Sequence, residues 1–89
     1  MIQITPDMIK NMNFYGCYGF LMAADRHQDY CTKDDAVDMF IYIQHLIKYE
    51  TDPHMYTPTY IKQVEIDKAM CTGWIVNCMS RGERICPTI

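Results

Sequence analysis

The stretch from Phe14 to Ala24 (FYGCYGFLMAA) runs for eleven residues without a charge. A helix with so little polar surface has to be covered nearly all round, so this segment is expected at the centre of a core. Thr5-Pro6-Asp7, just upstream, carries the signals of a helix start. The Thr hydroxyl can accept a bond from an early backbone N–H, Pro suits the first helical position, and the carboxylate favours the positive helix end. Together these features predict a first helix over 6–24. Met8, Met12, Tyr15, Gly19 and Met22 fall three or four apart, and Ile9, Phe20 and Ala24 widen that face. Gly16 and Gly19 lie inside the segment, where each costs roughly 1 kcal/mol relative to Ala. The expectation is that they admit a neighbouring helix at close range; a kink is the alternative.

Asp25 to Cys31 breaks the apolar pattern and reads as a loop. Thr32-Lys33-Asp34-Asp35 restarts a helix, with Thr32 as the cap and the acids at 34, 35 and 38 near the positive end. Ala36, Val37, Phe40, Ile43, Gln44 and Ile47 form its apolar face, with Met39 and Leu46 beside it. This second helix is expected over 33–50, ending before Asp52-Pro53. Thr57-Pro58 repeats the first start signal and opens a third helix over 58–80. Ile61, Val64, Cys71, Trp74 or Ile75, and Cys78 line its face, and Lys68 interrupts the register. Gly82 suits a left-handed cap residue, leaving a short tail from about 82.

The first and third helices echo each other. Thr5-Pro6-x-x-Ile9-Lys10 recurs as Thr57-Pro58-x-x-Ile61-Lys62, and Cys17-x-Gly19-Phe20 as Cys71-x-Gly73-Trp74. Each helix places a Gly just before a large aromatic, so a close crossing with Gly against ring is expected there.

The whole is expected to be all-α: a small antiparallel three-helix bundle forming a single domain over 1–89. No apolar run approaches the length of about 20 residues that a membrane span needs. No secretory leader is expected within Ile2 to Asn13, where no apolar run follows a basic start. The five cysteines form no Cys-x-x-Cys pair and read as free thiols in a reducing, cytoplasmic setting. A secreted scaffold with two bridges and one spare Cys is the alternative. Cys86 is expected to be the exposed thiol.

Charge argues against nucleic acid. Residues 1–56 carry eight acids against four bases, and residues 57–89 carry three against four. Neither half is the basic field that phosphate affinity requires. The gaps between helices also exceed the turn of three or four residues in a helix-turn-helix. A dimer assembling Lys62, Lys68, Arg81 and Arg84 is the arrangement that would reverse this.

One pairing could carry chemistry. His27 and Cys31 are four apart, with Asp25 and Asp29 close by. A His can deprotonate a Cys, and a carboxylate can orient the His. The same residues with Asp34 and Asp35 could ligate a metal, though structural zinc usually shows two close ligand pairs. Neither a catalytic centre, a metal nor a cofactor is the leading expectation. That expectation is a non-catalytic protein-binding regulator or inhibitor, in which the partner is another protein or a second copy of this chain. The eight Met and seven Tyr of a short chain favour it. Tyr42, Tyr49, Tyr56 and Tyr60, with Met39 and Met55, are the expected contact residues. Asp29, Asp34, Asp35 and Asp38 are expected to rim them.

Overall fold

The computed structural model describes residues 1–85, in which three helices pack up, down and up. They are α1 (Phe14–Arg26), α2 (Lys33–Glu50) and α3 (Pro58–Ile85). The expected bundle is present. Its long dimension of 50 Å reflects α3, whose 28 residues span about 42 Å at 1.5 Å each.

The first helix begins later than Thr5-Pro6 predicts. Pro6–Met8 forms only a 3₁₀ turn, and the Thr5 side chain caps nothing. The α-helix starts where Asn13 accepts from Gly16 N at 2.8 Å and Glu50 Oε2 accepts from Phe14 N at 3.0 Å. That break resets the register. Phe14, Cys17, Leu21 and Ala24 are buried, whereas of the residues expected to face the core Gly19 and Met22 are half-buried and Tyr15 lies at the rim of the α1–α3 seam. The uncharged stretch is fully buried along one stripe and half-covered elsewhere, with Tyr15 its one exposed residue. Its C-terminus closes with Gln28 at φ 57° and bonds from Gln28 N to Asp25 O and Asp29 N to Ala24 O. This is a Schellman turn with Gln where Gly is usual.

Helix α2 matches its expected span, and the Thr32 cap forms, accepting from Asp35 N at 3.1 Å. Its buried stripe is Ala36, Met39, Ile43 and Ile47. The stripe is turned from the expected face by about half a residue step. Met39 therefore enters the core, while Val37 and Gln44 are exposed. Tyr42, on the α1 side, places its hydroxyl 2.6 Å from Lys10 O and 2.9 Å from Met12 O, holding the segment that leads into α1.

Helix α3 starts as expected, with Thr57 Oγ1 accepting from Tyr60 N, and continues past the expected end at Ser80. Gly82 is a buried residue inside the helix, not a cap. A Cβ at this position would overlap the carbonyl oxygen of Cys31. Cys31 N in turn bonds Cys78 O at 3.1 Å, so the loop before α2 lies directly on the α3 backbone. Ile75, not Trp74, takes the core position. Ile85 is exposed, and Cys86, expected to be the exposed thiol, lies outside the described residues.

The N-terminal segment lies beside that loop. Ile4 N donates to Tyr30 O at 2.8 Å, and Tyr30 N to Ile2 O at 3.0 Å. This buries Ile4 without building a sheet.

Helices α1 and α3 run parallel. Tyr15 meets Asp67, Tyr18 meets Met70, and Asp25 meets Asn77, each pair 52 residues apart. Asp29, just beyond α1, meets Arg81 at the same offset. The expected Gly-against-ring crossing is absent. Nothing lies within 4 Å of a Cβ placed on Gly19 or Gly73, and Trp74 packs against Tyr18 with ring centroids 5.0 Å apart.

Candidate functional site

The His27–Cys31 pairing does not assemble a thiolate site. His27 is the exposed C-cap of α1, whereas Cys31 is fully buried beneath the N-terminal segment and α3. Burial pushes the Cys31 thiol up to about 12, and the neighbouring Cys78 and Asp35 push the same way. Near neutral pH such a thiol is protonated and a poor nucleophile or ligand. The other described thiols follow it. Burial raises Cys17 to about 11 and Cys71 to about 12, and raises Cys78 despite the adjacent Arg81. Among the described residues, no group of three or more His, Cys, Asp or Glu side chains is placed to hold a metal ion.

Arg81 makes three side-chain contacts across the end of the bundle. Its Nη2 pairs with Asp25 Oδ1 at 3.0 Å and lies 3.3 Å from Cys78 Sγ, and its Nε donates to Asp29 O at 2.7 Å. It joins the end of α1 to the end of α3, and is withdrawn from the set of bases considered for nucleic acid. Lys68 of that set is half-buried.

A buried carboxylate that periodicity did not flag lies across from α1. Asp67 occupies an interior position of α3, where Tyr15 OH donates to Oδ2 at 2.8 Å and Gln63 Nε2 donates to Oδ1 at 3.1 Å. Burial, then the bond and charge of Asp67, raise the Tyr15 phenol to about 12. Both carboxylate oxygens have donors, so the arrangement holds α1 to α3.

The expected contact residues divide. Asp29 is buried, accepts from Ile2 N at 2.9 Å, and fixes the N-terminal segment. Met39 is buried in the core. These two present nothing to a partner. Asp35 is half-buried at the start of α2, and Asp34 and Asp38 are exposed. Tyr49 and Met55 are exposed at 65% and 76%. Tyr56 and Tyr60 stack at 4.8 Å, and Tyr60 also meets Tyr15 at 6.3 Å, whereas Tyr49 meets His45 at 4.9 Å. The tyrosines therefore fall into two groups, one against α1 and one along α2.

The second group borders an open groove of about 390 Å³, lined by Lys10, Asp38, Ile41, Tyr42 and His45. Tyr42 forms part of the wall because its hydroxyl is fixed on the Lys10 and Met12 carbonyls. Ile41 is 62% exposed at this groove. Its signal in the sequence was an apolar residue standing off the apolar face of α2. A third surface lies along α1 and α3, where Ile66 and Met70 are exposed beside the uncovered Gly19 and Gly73. No helix among the described residues is long and apolar enough to cross a membrane. No family model, curated protein or solved structure matches the chain.

Proposed function

We propose that this chain is a non-catalytic protein-binding module, a small regulator or inhibitor that presents the outer edge of α2 to a partner protein. The observation that carries the reading is Ile41, apolar and 62% exposed, beside an open groove walled by Asp38, Tyr42 and His45. A rigid wall and a protruding anchor suit protein recognition, in which a few apolar and aromatic side chains dominate affinity. Tyr49, two helical turns beyond Tyr42, extends the contact, and the exposed acids Asp34 and Asp38 favour a partner with basic residues at the rim. The inertness of the buried thiols is consistent with binding rather than chemistry.

The test compares immobilised wild-type chain with Ile41→Asp and Tyr49→Ala in native extract, with mass analysis of what each retains. A protein held by wild type and weakened at least about tenfold by Ile41→Asp is the expected result. The reading fails if Ile41→Asp, shown to be folded, retains the same proteins to the same extent.

A further inference from the structure

The loop between α1 and α2 is pinned to the α3 backbone at the point where two buried thiols meet. Cys31 N donates to Cys78 O at 3.1 Å, and the Cys31 carbonyl occupies the place a Gly82 Cβ would take. A hydrogen bond of that length sets the two Cα atoms about 6 Å apart, inside the range of about 4.4–6.8 Å over which a disulfide closes. Both side chains are fully buried in the same core cluster. We propose that Cys31 and Cys78 form a disulfide under oxidising conditions, a bridge that locks the loop and the N-terminal segment onto α3.

The other described thiols lack this geometry. Cys71 and Cys78 share α3 with about 10 Å of rise between them, too far to bridge. Cys17 and Cys71 sit on helices whose axes pack about 8–10 Å apart, and no backbone bond among the described residues joins α1 to α3. A cation also marks the proposed pair. Arg81 Nη2 lies 3.3 Å from Cys78 Sγ, held there by Asp25 and the Asp29 carbonyl. Its charge opposes the effect of burial at both Cys31 and Cys78, whereas the acids Glu50 and Asp67 act on Cys17 and Cys71. In the closed fold both thiols stay protonated, so exchange begins when the loop lifts from α3. Glutathione disulfide is the oxidant. One protein thiolate attacks it and releases a glutathione thiolate, and the second attacks the mixed disulfide and releases another. One S–S bond forms in the protein as one breaks in the oxidant. The two thiol protons and two electrons leave with the two glutathiones.

The test incubates the folded, reduced full chain in a buffer of reduced and oxidised glutathione at about pH 8, so that pairings equilibrate by exchange. Acid quenches the reaction, and intact mass should fall by about 2 Da in the bridged chain. After alkylation of the remaining thiols, trypsin frees the Cys31 peptide by cutting after Arg26 and Lys33, and chymotrypsin separates Cys71 from Cys78 after Trp74. The expected linked peptide joins Cys31 to Cys78, with Cys17 and Cys71 alkylated. The bridge should also raise the urea midpoint by about 1 M or more, because it restrains the unfolded chain across a long loop. A chain that keeps all its thiols or gains only glutathione adducts overturns the proposal. So does a map dominated by any other pairing, Cys86 included. A Cys31–Cys78 bridge that fails to raise the midpoint overturns it as well, since the fold then does not accommodate the link.

Discussion

Replacing Gly82 with Ala should destabilise the fold, although the same change elsewhere in α3 should stabilise it. A Cβ on Gly82 overlaps the Cys31 carbonyl oxygen and lies 3.0 Å from its carbon. The loop cannot simply yield. Cys31 N is bonded to Cys78 O at 3.1 Å, Tyr30 is bonded on both sides to the N-terminal segment, and Asp29 O is held by Arg81 at 2.7 Å. Relief requires lifting the loop from α3, which sacrifices the Cys31 bond, worth about 1 kcal/mol. It also strains a packed interior, at about 1–3 kcal/mol. Ala recovers about 1 kcal/mol of helix propensity. The net is a loss of about 2 kcal/mol. Gly73→Ala meets nothing within 4 Å and keeps only the propensity gain, so it should stabilise by about 1 kcal/mol. The two variants should thus differ by about 3 kcal/mol. Urea unfolding followed by helical circular dichroism and by Trp74 fluorescence measures this, with agreement of the two probes checking two-state behaviour. A Gly82→Ala protein as stable as Gly73→Ala would refute the claim that the loop presses on α3.

Two other predictions test the fold through different groups. Asn13→Ala should cost about 1 kcal/mol as a lost cap, while Thr5→Ala, which removes no cap bond, should change the urea midpoint little. Stability should also fall in alkali. Cys17, Cys31 and Cys71 have folded pKa values raised above the ordinary thiol value of 9.0, to about 11, 12 and 12. Above pH 9 the unfolded chain therefore loses thiol protons that the folded chain retains, and the stability present below that pH is lost progressively up to about pH 12. Each such thiol contributes up to about 1.4 kcal/mol per pH unit in that window. Urea midpoints at pH 8, 9 and 10 in reductant measure it, and a Cys71→Ala variant with the same steepness as wild type would contradict this account.

Local signals were legible in the sequence where the chain makes its own contacts. The Thr32 cap and the Thr57-Pro58 start are satisfied within three residues, so α2 and the beginning of α3 follow directly from residue order. The start of α1 did not, because the cap that forms is Asn13, eight residues after Thr5, and tertiary bonds favour it. Glu50 on α2 supplies an acceptor to Phe14 N, and Tyr42 holds the carbonyls of Lys10 and Met12. Neither partner is visible from the Thr-Pro dipeptide. The extension of α3 through Gly82 has the same origin. Gly there meets a backbone 51 residues earlier, while local rules read it as a stop. The candidate contact residues divided for a related reason. Asp29 and Met39 are surface residues by type or by expected helix face, but the N-terminal segment and the turned stripe of α2 bury them.

The offset of 52 shared by the pairs Tyr15–Asp67, Tyr18–Met70, Asp25–Asn77 and Asp29–Arg81 also bears on how the chain folds. Every one of these contacts closes a loop of the same length. The entropy of bringing the ends together grows only with the logarithm of that length and is charged at the first contact. Once one pair is in place, the next lies a turn further along two helices already side by side, with almost no additional chain to constrain. The α1–α3 seam should therefore zip from any starting pair. Shortening the connection between α2 and α3 would shift the cost of the first contact while leaving the order of the later ones unchanged.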